Sequence, residues 1–192
     1  MTIWFTSDLH IGHRNIITYC NRPFRDVQEM DEMLIKNWNA VVQPGDQVYV
    51  VGDMCLARPK YGVSRIGRMN GEKFLVEGNH DKGCLKSKEF RDLFAWIRPL
   101  YELKVQDQDA SHGTQRIVLC HYAMRVWNKS HHGAWQLYGH SHGTLPDDPK
   151  SLSMDVGVDP NNYTPISYSQ VKARMSKKTW SPVDHHNGGY RE

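Results

Sequence analysis

The chain has 192 residues, a hydrophobic fraction of 39% and a formal net charge of +3. This length suits one compact domain with a sizeable core, and a charge this small does not by itself indicate a nucleic-acid-binding protein. The longest uninterrupted apolar run covers residues 93–97, whereas a membrane-spanning helix needs roughly 20 residues, so we expect no membrane association. We predict a single domain over residues 1–180 and a tail over residues 181–192.

Cysteine and histidine usage indicates the compartment and the ligand chemistry. The four cysteines form no Cys-x-x-Cys pair, and the amino terminus lacks the basic start and long apolar stretch of a secretory signal. We therefore expect reduced thiols and a cytoplasmic protein. The chain has 11 histidines, an unusually high count, so the ligands of any bound metal are expected to be histidines and carboxylates.

The predicted elements alternate between strands and helices in the first half of the chain. Short runs rich in β-branched and aromatic residues predict strands over 3–6, 48–51, 74–76, 101–105, 117–120, 135–138 and 152–158. The clearest helix is predicted over 27–42, because Asp26 can cap it and Glu29 follows three residues later. Weaker helical patterns cover 61–69, 88–94 and 169–177. Together they predict an α/β layered domain with one mixed sheet or two sheets.

Five of these strands run directly into clusters of side chains that can bind metals. The clusters cover residues 7–13, 52–54, 77–81, 120–122 and 139–143. Because sites in open α/β sheets gather at the carboxyl ends of strands, we expect the five clusters to meet. The members of the pairs Asp8/His10 and His140/His142 are two residues apart, so on an extended backbone both would point to the same side.

The number and type of these side chains indicate two metal ions. The candidate ligands are Asp8, His10, Asp53, Asn79, His121, His140 and His142. Seven ligands are too many for one ion that keeps an open position, and the Asp53 carboxylate can bridge two cations. Nitrogen and oxygen donors without thiolate suit Mn²⁺, Fe²⁺, Zn²⁺ or Ni²⁺ better than Ca²⁺ or Cu(I).

The ordered series Asp-x-His, Gly-Asp, Gly-Asn-His-Asp, Cys-His and Gly-His-x-His over positions 8–143 resembles the calcineurin-like metallophosphoesterase family. The opening stretch of residues 7–17 is more similar to its small phage and bacterial members. The resemblance implies a layered αββα sandwich of mixed β-sheets flanked by helices, and two divalent ions with Mn²⁺ as the first choice. It assigns one ion to Asp8, His10, Asp53 and His142, and the other to Asp53, Asn79, His121 and His140.

The same resemblance implies a catalytic group. His80 would protonate the leaving oxygen or stabilise its charge, and we interpret Asp81 as the carboxylate that orients the His80 ring. His13 and Arg125 are candidate substrate contacts. The loop that carries Arg125 and His131-His132 either lines the substrate cleft or is solvated, whereas His112 is read as a hairpin-turn residue.

We therefore predict a metal-dependent phosphoesterase that uses activated hydroxide to attack phosphorus. A chain this short has little room for a lid, which favours a small or flexible phosphoester such as a nucleotide, a cyclic nucleotide or a nucleic-acid end. Of the two ester types, we expect the substrate to be a diester rather than a monoester. The alternatives are a catalytically inactive binding module on the same fold and a protein whose main task is nucleic-acid binding, for which Arg125, Trp127 and Lys129 are thin evidence.

Overall fold

The computed structural model describes residues 1–183, so most of the predicted tail lies outside the described residues. The strands are β1 (Ile3–Thr6), β2 (Gln47–Val51), β3 (Glu72–Val76), β4 (Trp96–Arg98), β5 (Tyr101–Gln106), β6 (Thr114–Leu119), β7 (Trp135–Tyr138), β8 (Ser153–Asp155) and β9 (Ile166–Ser167). The helices are α1 (Ile16–Tyr19), α2 (Val27–Val41), α3 (Pro59–Ile66), α4 (Lys88–Arg91) and α5 (Tyr168–Met175).

The strands form two sheets. The first has the order β4-β3-β2-β1-β9, with β1 to β4 parallel and β9 antiparallel to β1. The second has the order β5-β6-β7-β8, with a β5–β6 hairpin followed by parallel β6, β7 and β8. In both sheets, therefore, several parallel strands present their carboxyl ends at a common edge, where loops can converge.

Two hydrophobic cores hold the layers together, because alternate side chains of a strand point to opposite faces. Phe5, Tyr49 and Phe74 are aligned across the first sheet and pack against buried residues of the second, such as Ile117 and Leu137. The opposite face of the first sheet is covered by the helices, through residues that include Trp38 of α2, Ile66 of α3 and Phe90 of α4. The α5 residues Val171 and Met175 join the core shared by the two sheets. The predicted fold class, mixed sheets flanked by helices, is confirmed.

Some predicted elements have the bounds found in the structure, and others differ from it in length. Strands β1 and β7 have the predicted bounds, and α2 begins where predicted because the Asp26 carboxylate accepts a hydrogen bond from Glu29 N at 2.9 Å. The strand predicted over 152–158 is shorter, and the 88–94 helix ends at Arg91. The short elements β4, β9 and α1 were not predicted.

Within residues 1–183, every helix is too short or too polar to cross a bilayer.

Candidate metal centre

Backbone hydrogen bonds fix the loops that carry the five polar clusters. Asp8 N donates to Gly52 O and His10 N donates to Asp53 O, both at 3.0 Å, so the loops after β1 and β2 are fastened together. Gly139 N donates to His121 O at 3.0 Å, which joins the loops after β6 and β7 in the second sheet. His140 N donates to Asp8 Oδ2 at 2.9 Å and His80 N donates to Asp53 Oδ1 at 2.8 Å, so the clusters of both sheets meet on an ordered backbone.

The first group of ligand atoms belongs to Asp8, His10 and His142, which lie within 4.8 Å of one another. Asp8 and His10 are buried, and His142 Nε2 lies 4.0 Å from Asp8 Oδ1. These three residues are the ligands that the resemblance assigns to the first ion, except for Asp53, which it assigns to both ions.

The second group consists of Asp53, His121 and His140, also within 4.8 Å of one another. Asn79 belongs with them, because its Oδ1 is 3.1 Å from both His121 Nε2 and His140 Nδ1. His121 Nδ1 donates to Val51 O at 2.9 Å, since a carbonyl can only accept, and this leaves Nε2 facing the ligand group. The structure thus gathers the four residues assigned by resemblance to the second ion.

Asp53 lies between the two groups. Its Oδ2 is 3.5 Å from His10 Nε2 in the first group and 3.4 Å from His121 Nε2 in the second. One carboxylate that reaches both groups is the arrangement that a bridging ligand requires. The seven side chains therefore form one centre with two halves.

The ionisation of two of these groups, His10 and Asp53, suits cation binding, whereas burial raises the pKa of Asp8 to about 7. His10 Nε2 is buried and has no hydrogen-bond partner among the described residues, and burial lowers the pKa of His10 to about 2. A neutral imidazole with an unsatisfied lone pair is a ready metal ligand. Burial raises the pKa of Asp53, but the hydrogen bond and charge of His121 outweigh it and lower that pKa to about 2, so Asp53 is ionised. The donor set fits divalent transition metals.

Most of the candidate ligands adopt a left-handed backbone, which corrects the extended geometry expected for the two pairs. The residues with positive φ are Asp8 (58°), His10 (53°), Asp53 (53°), His140 (66°) and His142 (48°). Non-glycine residues rarely occupy this region, although Asp and His tolerate it better than most, and such strain clusters at functional sites. The side chains of each pair, Asp8/His10 and His140/His142, do converge. Sharply turning loops bring them together, and not the alternation of side chains along a strand.

Asp81 is placed differently from the prediction that it orients the His80 ring. Its Oδ2 accepts hydrogen bonds from Asp53 N and Gly78 N, and its Oδ1 accepts one from Met54 N, all at 2.9 Å. It is fully buried, and these backbone groups occupy both of its oxygens. Asp81 therefore ties the loop after β2 to the loop after β3 and acts on the position of Asp53.

His80 lies against the first group of ligands. Its backbone N donates to Asp53 Oδ1 at 2.8 Å, and its half-buried ring has its centroid 5.3 Å from that of His10. Within residues 1–183 the His80 ring has no hydrogen-bond partner, so its nitrogens are available to a ligand.

The loop after β3 also requires a glycine, which yields a testable prediction. A Cβ at Gly78 would lie 2.2 Å from Asp53 Oδ1 and 2.3 Å from Asp53 N. We expect Gly78→Ala to displace Asp53, to lower the metal content of the protein and to reduce the free energy of unfolding by about 1–3 kcal/mol. Metal analysis and denaturant unfolding measure the two effects.

Gly83 provides the matched control, because a Cβ there would meet nothing within 4 Å. Gly83→Ala should leave both quantities near the values of the unmodified protein. Equal behaviour of the two variants would contradict the tight approach of Gly78 to Asp53.

Sequence reasoning missed a buried ion pair behind the first group. The guanidinium of Arg22 makes two hydrogen bonds of 2.8 Å to the Asp159 carboxylate, and Asp159 Oδ2 accepts from His142 Nδ1 at 2.7 Å. Arg22 Nη2 also donates to Asp8 O at 2.7 Å. Asp159 thereby fixes the tautomer and orientation of His142, with Nε2 facing Asp8. Asp159 follows the strand predicted over 152–158, so the rule that found the other clusters also applies to it.

The two candidate substrate contacts have different surroundings. The His13 ring is 5.2 Å from that of His10 and 6.1 Å from that of His80, measured between centroids, so His13 is part of the centre. Arg125 is exposed and lines a separate cavity of about 450 Å³ to which none of the seven candidate ligands contributes. The structure therefore brings His13, but not Arg125, to the ligand groups.

The remaining histidines that were singled out lie elsewhere. His112 occupies the short turn between β5 and β6, as predicted. His132 lines a larger cavity of about 720 Å³ together with Arg116 and Lys172. None of the seven candidate ligands lines this cavity, so the cavity is separate from the ligand groups.

The sandwich of mixed sheets carries joined groups of histidines and carboxylates at the ends of its strands, and these groups are candidate ligands for divalent metals. The chain belongs to the calcineurin-like phosphoesterase family, whose model matches residues 1–190. The family predicted from the sequence is therefore confirmed, and it is a family of phosphate-ester hydrolases.

Similar proteins agree with this membership. An uncharacterised protein of Methanocaldococcus jannaschii is 34% identical over 182 residues, which cover 91% of this chain and 92% of that protein. The gene 66 protein of Mycobacterium phage L5 is 28% identical over 162 residues, which cover 74% of this chain and 78% of the phage protein. A solved protein of unknown function from Aquifex aeolicus shares the fold, with a TM-score of 0.68 and 23% identity over 90% of this chain and 98% of that one.

Proposed function

We propose that this protein is a phosphodiesterase that uses two divalent metal ions, with Mn²⁺ as the first choice. The observation that supports the proposal is the position of Asp53 Oδ2, 3.5 Å from His10 Nε2 and 3.4 Å from His121 Nε2. Asp8, His10, Asp53 and His142 would hold one ion, and Asp53, Asn79, His121 and His140 the other. Bound there, two divalent ions supply an activated water and neutralise the charge on a phosphate ester.

The protein's own groups have distinct tasks in this proposal. Asp8 and Asp53 bring two negative charges, fewer than two divalent ions carry, so the loaded centre remains positive and attracts a phosphodiester anion. His13 binds a phosphate oxygen. A ring nitrogen of His80 donates a proton to the leaving oxygen, and the bond from His80 N to Asp53 Oδ1 holds this histidine next to the ligands.

The substrate that we propose is a small or flexible phosphoester, and the location is the cytoplasm. The free state of Cys20, Cys55, Cys84 and Cys120 supports a reducing compartment.

Metal analysis combined with hydrolysis of model esters tests the proposal. The purified protein is reconstituted separately with Mn²⁺, Zn²⁺, Fe²⁺ and Ni²⁺ and assayed on bis(4-nitrophenyl) phosphate and 4-nitrophenyl phosphate. We expect two metal ions per chain and faster hydrolysis of the diester. Stoichiometric metal without hydrolysis of either ester would instead support an inactive binding module.

His80→Ala is expected to keep the metal content and to lower kcat by roughly 100-fold or more, because a general acid typically contributes that much. His80 contacts the centre through its backbone and ring edge and is not one of the candidate ligands. Metal analysis and steady-state kinetics on the diester measure the two quantities.

His132→Ala makes the same chemical change in the loop outside the ligand groups and should leave kcat unaltered. A His80→Ala variant as active as His132→Ala would exclude the proton-donor role.

A further inference from the structure

Two exposed tyrosines lie beside the metal centre, one next to His13 and the other next to His140. Tyr19 is the last residue of α1. Its side chain is 72% exposed, and its ring centroid lies 6.2 Å from that of His13. Tyr122 directly follows His121, is 49% exposed, and its ring centroid lies 4.8 Å from that of His140. Tyr122 therefore flanks the second ligand group, whereas Tyr19 lies against His13, whose ring is next to that of His10 in the first group.

Tyr19 and Tyr122 differ in exposure from the other tyrosines that the structure describes. The other tyrosines of residues 1–183 are buried or half-buried, and they are Tyr49, Tyr61, Tyr101, Tyr138, Tyr163 and Tyr168. Both exposed tyrosines thus contact histidines of one site. A large aromatic surface left in water beside a ligand site is a typical feature of a recognition surface.

The two rings are carried by an ordered backbone. Tyr19 N donates to Asn15 O at 3.0 Å within the turn that forms α1. Tyr122 O accepts a hydrogen bond from the buried Gln136 side chain at 3.1 Å. Each ring also meets its histidine edge to face, at interplanar angles of 74° for Tyr19 and 66° for Tyr122. The rings are therefore positioned in advance while much of their surface is accessible.

We infer that Tyr19 and Tyr122 determine specificity by stacking on the planar bases of a nucleotide phosphodiester bound at the metal centre. A diester has two substituents that leave phosphorus in different directions, and the structure offers one aromatic ring beside His13 and another beside His140. Aromatic side chains stack on any base because every base has a π-face, so this recognition favours nucleotides without selecting one base. The inference rests on the proposed function, since it places the phosphate of the same substrate at the same centre.

A binding comparison isolates the contribution of the base. Adenosine 5′-monophosphate and ribose 5-phosphate carry the same sugar phosphate and differ in the base. Calorimetric titration of the Mn²⁺-loaded protein with each compound gives two dissociation constants. We expect the nucleotide to bind between about 5-fold and about 150-fold more tightly, the range of base stacking on an aromatic side chain.

Variants then assign this preference to the rings. Because the single base of the nucleotide can stack on either ring, the double variant Tyr19→Ala/Tyr122→Ala should abolish the preference for the nucleotide while leaving ribose 5-phosphate binding and metal content unchanged, and each single Ala variant should reduce it in part. Tyr19→Phe and Tyr122→Phe keep the aromatic ring and should keep the preference. A loss in the Phe variants as large as in the Ala variants would assign the effect to the hydroxyl groups and overturn stacking.

The outcomes separate this inference from the proposed function. Equal binding of the two compounds by the unmodified protein, accompanied by hydrolysis of bis(4-nitrophenyl) phosphate, would overturn the tyrosine role alone. Full retention of the preference in the double variant Tyr19→Ala/Tyr122→Ala would also overturn the tyrosine role. Binding of neither compound, without diester hydrolysis, would overturn both.

Discussion

Asp53→Asn is expected to lower phosphodiester hydrolysis by on the order of 10³-fold or more, equivalent to about 4 kcal/mol of lost transition-state stabilisation. Asp53 Oδ2 lies within 3.5 Å of a ligand nitrogen in each group, at His10 Nε2 and at His121 Nε2. An amide has no negative charge to share between two cations. Metal content should therefore fall below two ions per chain, as measured on the purified variant, together with kcat on the diester.

Asparagine is the appropriate replacement because it separates the charge from the backbone geometry. Asp53 has φ 53°, a conformation that Asn tolerates better than most residues, and an amide oxygen can still accept from His80 N. Asp46→Asn is the matched control at the amino end of β2, where the Asp46 carboxylate accepts hydrogen bonds from Thr2 N and Trp4 Nε1. Asp46→Asn should keep both metal ions. Full activity in Asp53→Asn would contradict the shared-carboxylate centre.

Several elements could be predicted from a sequence pattern, although only residues Ser153–Asp155 of the strand predicted over 152–158 form a strand. The strand over 3–6 and the capped helix beginning at residue 27 were read correctly from apolar runs and from the Asp26 and Glu29 spacing. β4 and β9 have three and two residues, too few for a period of two to be visible. Pairing with neighbouring strands establishes both elements, through Phe74 with Trp96 and Trp4 with Ser167.

The candidate ligands were predictable because each follows a recognisable strand. Their backbone geometry was not, since alternation describes extended chains and the loops at Asp8 and His140 turn through positive φ. The position of Asp81 was missed for a related reason. The sequence places it next to His80, whereas the folded chain directs its oxygens to the amides of Asp53 and Met54, 28 and 27 residues away.

Arg22 could not have been found from spacing. It lies in a loop without periodicity, and its partner Asp159 is 137 residues further along the chain. Asp159 itself directly follows the last predicted strand, 152–158, and was accessible to the same reasoning that found Asp53 and His121. Local patterns thus located the residues that line the centre, and only the folded structure located the arginine that supports them.

Arg22→Met is expected to reduce the free energy of unfolding by about 3–5 kcal/mol, because removing one partner of a buried ion pair leaves the other charge uncompensated. The Arg22 side chain is fully buried and that of Asp159 is 8% exposed. The variant also leaves the carbonyl oxygens of Asp8 and Leu9 without their donors. Metal affinity should fall by roughly 10- to 100-fold, since Asp159 would no longer be held against His142.

Denaturant unfolding and metal titration measure these two effects, and Arg68→Met supplies the comparison. Arg68 pairs with Glu32 on the surface, with both side chains about half exposed, and such a pair contributes at most about 1 kcal/mol. The double variant Arg22→Met with Asp159→Asn removes both charges and should recover part of the unfolding free energy without restoring metal affinity, because His142 remains without its carboxylate. If Arg22→Met lost no more unfolding free energy and no more metal affinity than Arg68→Met, the buried pair would not support the centre.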